Sequence, residues 1–152
     1  MLAPAFFLPT STTIMLRGLR GLLGSLVEKI YLREWGGSDI HDAAARSVYP
    51  SCRLMPLSAP MNLFDLTAVV KPMLPRITQP ALVMHARRDH TCPMRKNVGY
   101  VMKHLGSPEK RAVELEESYH VITVDSEKER VAGEVADFVE RFRVAPQKRA
   151  AG

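Results

Sequence analysis

Between Pro80 and Phe142 the sequence alternates short apolar runs with longer amphipathic segments. The runs centred on Val83 and Val113 have the length and composition of buried strands. Each is followed by a segment whose apolar residues recur at offsets of 4, 7, 8 and 11, which is the spacing of one helical face. Consecutive strands that are joined by a helix must be parallel. The order strand, helix, strand, helix therefore predicts an α/β fold with a parallel sheet.

An acid and a histidine follow the two predicted strands. Asp89 lies just past the first strand, and His120 lies just past the second, 31 positions later. Neighbouring parallel strands lie about 5 Å apart, and their carboxyl ends form the edge of the sheet where ligands bind. An aspartate held against a histidine fixes the imidazole tautomer and stabilises the imidazolium. The sequence therefore predicts Asp89 and His120 as a catalytic pair.

Each member of the pair also has a structural interpretation. Asp89 stands before Thr91 and Pro93 and can serve as a turn or cap residue, and loop histidines are commonly structural. The pair in this order and register is more specific than either residue alone. The other histidines are interpreted as packing or surface residues (His85 and His104) and as solvated residues (His41 and His90).

The chain before Pro80 is rich in predicted helices and loops. Residues 2–7 are predicted as a strand, and a long helix is predicted from Thr13 to Arg33. Residues 34–62 are predicted to be irregular apart from a short helix at 39–46, and another helix is predicted over 63–70. No strand is predicted between residues 10 and 75, so this stretch is interpreted as an insertion between two strands.

Two further features concern the helices of the α/β part. Gly106 is predicted to end the helix that follows Asp89, as a C-cap. Residues 126–129, Ser-Glu-Lys-Glu, are predicted to start the last helix as a capping box.

Composition excludes several classes of function. The net charge is +5, from 21 Lys and Arg against 16 Asp and Glu, but no basic stripe with interleaved aromatic residues appears, which argues against nucleic-acid binding. Cys52 and Cys92 lack metal-site spacing and are interpreted as reduced thiols of a cytoplasmic protein. No cofactor motif is found. No apolar run reaches the roughly 18 residues of a membrane-spanning helix, and the apolar start lacks the basic residues of a signal peptide.

The segment that contains Asp89 and His120 resembles the C-terminal part of α/β-hydrolase-fold serine hydrolases. Ala86-Arg87-Arg88-Asp89 matches the acid loop of bacterial carboxylesterases and monoacylglycerol-lipase-like enzymes, which are related to serine aminopeptidase-type hydrolases. Residues 118–125, Ser-Tyr-His-Val-Ile-Thr-Val-Asp, match the histidine loop of the same family. The resemblance covers residues 76–143, and residues 2–5 resemble the strand that precedes the family's helical lid.

The resemblance implies a domain organisation. Residues 1–9 would be a sheet strand, 10–75 a helical lid inserted into the sheet, and 76–144 a partial α/β-hydrolase core that carries the acid and the histidine. Residues 145–152 are predicted to be a mobile polar tail.

The resemblance also implies hydrolysis of a carboxylic ester, with His120 as general base and then acid and Asp89 as its orienter. The family's nucleophile lies in Gly-x-Ser-x-Gly, upstream of the acid and the histidine. No serine upstream of Asp89 has that context: Ser11, Ser25, Ser38, Ser47, Ser51 and Ser58. The oxyanion hole would likewise precede Met1. We therefore expect a C-terminal portion of a hydrolase, and no ester turnover by the isolated chain.

Two alternatives stay open. The chain can be a catalytically inactive module that binds a partner or self-associates through an exposed sheet edge. The basic, apolar helix over 13–33 can also lie on a membrane surface, although a lid explains it better. If an N-terminal half completes the site, the expected substrate is a small lipophilic ester.

Overall fold

The computed structural model describes residues 1–33, 37–51 and 54–143. The α-helices of this part are α1 (Thr10–Leu23), α2 (Ala43–Val48), α3 (Ser58–Val70), α4 (Met94–His104) and α5 (Lys128–Glu140). Its strands are β1 (Tyr31–Arg33), β2 (Leu54–Pro56), β3 (Ala81–Ala86) and β4 (Lys110–Leu115). The 3₁₀ segments Gly24–Lys29 and Lys71–Arg76 extend α1 and α3. Cys52 and the predicted tail at 145–152 lie outside the described residues.

The parallel sheet joins β3 to β4 in register from Ala81 opposite Lys110 to Ala86 opposite Leu115. Leu2 forms a parallel bridge to Met84, on the side of β3 away from β4. Met84 N–H donates to the Met1 carbonyl at 2.9 Å, and its own carbonyl accepts from Ala3 N–H at 2.8 Å. The predicted α/β class with a parallel sheet is confirmed.

Helices cover both faces of this sheet. On one face, Leu82, Met84 and Ala86 of β3 form a core with buried residues of β4 and with Val131 of α5. Residues alternate between the faces of a strand, so Val83 and His85, which are fully buried, point to the face that packs against α4. Burial on both sides explains why β3 reads as a continuous apolar run.

The strand predicted over residues 2–7 is wrong in its length, because only Leu2 joins the sheet among residues 1–9. Pro4 and Pro9 have no N–H to offer a strand ladder. The N–H groups of Phe6 and Phe7 instead donate to Oδ1 of the buried Asn97, at 2.7 and 2.8 Å. The segment thus leaves the sheet and is tied to α4.

Residues 10–75, here called the cap region, differ from the prediction in two respects. The predicted helix over 13–33 ends at Leu23, because Gly24 adopts a positive φ of 53°. The prediction of no strand in this region is also wrong, because β1 pairs antiparallel with β2. Strands of three residues are too short to show an alternating pattern.

The short helices of the cap region have local causes. The predicted helix at 39–46 occupies Ala43–Val48, since the Asp42 carboxylate caps it by accepting from the N–H groups of Ala44 and Ala45. The helix predicted from Leu63 begins at Ser58, with Pro60 in its first turn, where a missing N–H costs nothing. The cap region has a core of its own, formed by Leu16, Val27, Leu57 and Met61.

Two predictions about the ends of helices fail for identifiable reasons. The capping box at 126–129 does not form, because α5 begins at Lys128 without a side-chain cap bond and Ser126 Oγ donates to the Asp125 carboxylate instead. Gly106 does not cap α4 through a positive φ. It allows close packing, because a Cβ there would lie 2.0 Å from the Pro75 carbonyl oxygen. None of the helices in the described ranges is long and apolar enough to cross a bilayer.

Candidate active site

The acid loop, residues 87–93, leads from the end of β3 to α4. Asp89 is buried, and its Oδ1 accepts from the N–H groups of Thr91 at 2.8 Å and Cys92 at 2.6 Å. Such bonds to the backbone two and three residues ahead are typical of an aspartate in a turn. The turn interpretation is therefore correct, and it leaves Oδ2 of Asp89 available for other contacts.

The histidine loop, residues 116–127, follows β4 and brings His120 to that oxygen. Nδ1 of His120 lies 2.7 Å from Oδ2 of Asp89. Because Asp89 can only accept when ionised, Nδ1 carries the proton and donates it to this bond. Nε2 then holds the free lone pair of the neutral ring, and it has no partner in the described part of the chain. The His120 side chain is 27% exposed, so a reacting group can reach it.

Each member of the pair alters the protonation of the other. Burial opposes ionisation of Asp89, but hydrogen bonds from His120, His85 and the Cys92 N–H hold the pKa of this carboxyl well below its usual range. The hydrogen bond to Asp89 raises the pKa of His120 against the effect of burial, and the charges of Asp89 and Asp39 act in the same direction. Asp89 is thus ionised at neutral pH and stabilises an imidazolium.

His85 is more than the packing or surface residue that the sequence suggested. Its ring is fully buried, and Nε2 lies 2.9 Å from the Cys92 carbonyl oxygen and 3.0 Å from Oδ2 of Asp89. Both atoms are acceptors, so Nε2 carries a proton that they share, while Nδ1 is buried without a hydrogen-bond partner among the described residues. The available signal was a histidine inside a buried strand, because buried polar groups need partners.

Cys92 is excluded as a nucleophile. Its side chain is buried, and burial together with the charges of Asp89 and Asp39 raises the pKa of the thiol to about 12. The thiolate is the nucleophilic form of cysteine. Cys92 therefore serves the acid loop through its backbone, whose N–H and carbonyl contact Asp89 and His85.

Asp39 is a second carboxylate near the pair that sequence reasoning missed. It accepts from Nδ1 of His90 at 2.8 Å and from Thr91 Oγ at 3.2 Å. His90 is largely exposed, as predicted, but it is held by this contact and by a T-shaped contact with the Tyr119 ring. His41 likewise contacts Ser126 Oγ, at 3.1 Å. Asp39 is distant from the acid loop in sequence, and no periodicity marks its role.

A cavity of about 430 Å³ lies between the cap region and the acid loop. Its lining is mostly apolar and comprises Leu8, Pro9, Thr12, Met15, Leu16, Leu32, Met55, Ala59, Pro60, Leu63, His90 and Thr91. His90 and Thr91 directly follow Asp89 in the chain. An apolar cavity beside a polar pair is typical of a site that binds an apolar ligand and holds its reactive group at one end. The described residues contain no group of three or more side chains suited to a metal ion.

Comparison with known proteins gives one curated relative and several solved structures, whereas no family model matches. The thermostable monoacylglycerol lipase of Bacillus sp. (strain H-257) is 33% identical over 89 residues, which are 59% of this chain and 34% of that protein. The structure of a metagenome-derived lipolytic enzyme is 28% identical, with a TM-score of 0.77 over 92% of this chain and 53% of the other. The chain has a partial α/β-hydrolase fold.

Two more distant hydrolase structures show the same fold. The monoacylglycerol lipase of Paleococcus ferrophilus is 21% identical, with a TM-score of 0.71 over 91% of this chain and 57% of the other. A soluble variant of the monoglyceride lipase of Saccharomyces cerevisiae, solved with a substrate analog, is 14% identical, with a TM-score of 0.70 over 93% and 54%. The predicted resemblance to lipases and esterases is thus confirmed. The chain spans about half the length of these structures, roughly their C-terminal part, and 34% of the curated relative.

Proposed function

We propose that this chain supplies the acid and the histidine of a serine carboxylic-ester hydrolase. The observation that carries the proposal is the 2.7 Å contact between Nδ1 of His120 and Oδ2 of Asp89, beyond the ends of two adjacent parallel strands. Nε2 of His120 would accept the proton of a serine hydroxyl as that oxygen attacks the ester carbonyl. It would return the proton to the leaving alcohol, while Asp89 stabilises the intervening imidazolium.

The nucleophile in this proposal lies outside the 152 residues. No Gly-x-Ser-x-Gly occurs in the sequence, and the chain spans about half of the solved hydrolases that it resembles. The triad acts as a unit, so loss of its serine removes nearly all of its catalysis. The isolated chain would then not turn over esters.

The proposed substrate is a small lipophilic ester, and residues 10–75 are proposed as the lid that covers it. The cavity beside the acid loop supports both, because the cap region contributes most of its apolar lining. A volume of about 430 Å³ is within the range of small-molecule sites, roughly 300–1,000 Å³. The related enzymes are lipases and esterases, in agreement with an apolar acyl chain.

The test compares the isolated chain with a polypeptide extended upstream. The in-frame coding sequence before Met1 is read for Gly-x-Ser-x-Gly, and both proteins are assayed with p-nitrophenyl esters of short and medium acyl chains. We expect turnover by the extended protein only, and a fall in kcat of about 10⁴-fold or more on His120→Ala.

His104→Ala is the matched control, because His104 is a helical histidine whose Nδ1 contacts the Tyr100 carbonyl, away from Asp89. This variant should retain turnover. An extended enzyme that is indifferent to His120→Ala would disprove the role of the pair. Turnover by the isolated chain that depends on His120 would disprove an external nucleophile.

A second candidate is an inactive self-association module. One observation favours it: Met1 and Leu2, on the side of the sheet away from β4, are each 43% exposed. A strand edge with exposed apolar side chains can pair with another chain. Sedimentation velocity of the purified chain tests this, and a monomer at micromolar concentration would contradict it.

A further inference from the structure

The buried carboxylate of Asp125 accepts hydrogen bonds from four backbone N–H groups. Oδ1 accepts from Asp42 and Ser126 at 2.8 and 2.7 Å. Oδ2 accepts from His41 and Tyr119 at 2.8 and 2.7 Å. Burial opposes ionisation, but these four N–H groups lower the pKa of Asp125. The carboxylate is therefore ionised at neutral pH, with both of its oxygens fully engaged.

The four donors come from two parts of the chain. Tyr119 immediately precedes His120 and, with Ser126, belongs to the histidine loop, whereas His41 and Asp42 lie about 80 residues earlier. Residues 39–42, here called the clamp segment, also contact both loops through Asp39. The Asp39 carbonyl accepts from Val121 N–H at 3.2 Å, and its carboxylate accepts from His90 and Thr91. The clamp segment therefore bridges the acid loop and the histidine loop.

We infer that Asp125 is a positioning residue for His120, which it fixes against Asp89 by joining the histidine loop to the clamp segment. This inference rests on the proposed function and deepens it. The histidine loop contains no helix or strand, so regular backbone pairing does not orient His120. The N–H groups on both sides of His120 are instead anchored to other groups, Tyr119 on Asp125 and Val121 on Asp39.

The charge of Asp125 could also act on the pKa of His120 directly, and the variants are chosen to separate this effect from positioning. The charged groups that act on the His120 ring are Asp89 from the acid loop and Asp39 from the clamp segment. His90 contacts Asp39 and Tyr119, His85 contacts the same Oδ2 of Asp89 as His120, and the Arg88 guanidinium lies over the Tyr119 ring. Asp125 is linked to His120 through backbone groups, namely the Tyr119 N–H and the clamp segment, which it holds by the N–H groups of His41 and Asp42. A change of shape at Asp125 that preserves its charge should therefore disturb His120 as well.

The test is an NMR titration of the His120 ring in the complete 152-residue chain. Asp125→Asn removes the charge and one acceptor oxygen, while Asp125→Glu keeps the charge and displaces the carboxylate by one methylene. We expect both variants to lower the pKa of His120 toward the ordinary histidine value of about 6.5 and to speed exchange of its Nδ1 proton. Asp65→Asn, at an exposed carboxylate that pairs with Arg20, is the control and should leave both readouts unchanged.

Several outcomes would overturn the inference. A folded Asp125→Glu with a wild-type His120 titration would do so, even if Asp125→Asn shifts it, because charge alone would then be responsible. The absence of a shift in the pKa of His120 in both variants would also overturn the inference. If the variants do not fold, hydrogen exchange in the wild-type chain decides. The inference requires the Tyr119 N–H and the His120 Nδ1 proton to exchange through a common opening, and a freely exchanging Tyr119 N–H would refute it.

No substrate enters these measurements, so failure of the proposed function is recognised separately. A wild-type His120 with an ordinary pKa would refute the Asp89–His120 pair itself. A raised wild-type pKa that is insensitive to Asp125 would refute only the positioning role.

Discussion

The sheet region, residues 76–143, and the cap region differ in how completely they bury their apolar residues. In the sheet region one core extends from both strands to α5, and the Asp89–His120 pair lies beside it. Among its described residues the cap region buries a cluster of four apolar side chains, together with Ile40 and Leu74, and it exposes many others, among them Leu22 at 82% and Ile14 at 68%. The apolar residues of the cap region therefore do more than stabilise it, and several of them line the cavity.

The largest expected effect of this difference is on stability. Met84 is fully buried in the centre of β3, and Met61 is almost fully buried in the core of the cap region. Met84→Ala should lower the free energy of unfolding by about 4–5 kcal/mol, near the upper end for such cavities, and Met61→Ala by about 2 kcal/mol, since the smaller core can collapse around the gap. Urea denaturation measures the free energy of unfolding of both variants. Equal losses of stability would show that the two cores are packed equally tightly.

Asp89→Asn should have the next largest effect. The pKa of Asp89 is depressed in the folded state, so its contribution is present above the unfolded value of about 3.9 and is lost as the pH falls through the folded value. The pKa of His120 is raised, so its contribution is complete below the unfolded value of about 6.5 and is lost as the pH rises through the folded value.

The variant should therefore lose the most stability between about pH 4 and 6.5, on the order of 2–3 kcal/mol for hydrogen bonds to a buried charge. Denaturation across pH 3–9 measures the profile. Asp65→Asn, on the surface of the cap region, provides the reference. A loss that is independent of pH would mean that Asp89 acts only as a turn residue.

A smaller effect is expected where the two regions meet. Gly106 follows α4 and touches the end of the cap region, with its N–H donating to the Leu74 carbonyl at 3.1 Å. A Cβ at this position would overlap the Pro75 carbonyl, so Gly106→Ala should cost about 1–3 kcal/mol. Gly99→Ala, within α4 and with open space around it, should be neutral or stabilise by up to about 1 kcal/mol. Thermal unfolding compares the stability of the two variants. An unchanged stability of Gly106→Ala would show that the Pro75 carbonyl moves away from the added Cβ at little cost.

The sheet region could be predicted because local and global signals agree there. The apolar run of β3 is buried on both faces, and the strand, helix, strand order fixes which loops meet. Asp89 and His120 follow from that order, since parallel neighbours place their carboxyl ends together. Their contact was therefore deduced from topology, without information about side chains.

The remaining features could not be predicted from the sequence, because they depend on contacts between residues that the local pattern does not reveal. β1 and β2 contain three residues each and owe their structure to pairing with one another, which no periodicity reveals. The role of Asp125 depends on donors at 41 and 42, far along the chain. Residues 126–129 match a capping box, but the Ser126 hydroxyl contacts the neighbouring Asp125 and the distant His41, and it does not cap α5.

The protonated thiol of Cys92 has a practical consequence for the acid loop. Alkylating agents and peroxides react with thiolates, and a thiol with a pKa of about 12 contains almost none at neutral pH. While the loop is folded, oxidative damage to it is therefore suppressed. Unfolding restores an ordinary thiol, so chemical modification of Cys92 would report the opening of this loop.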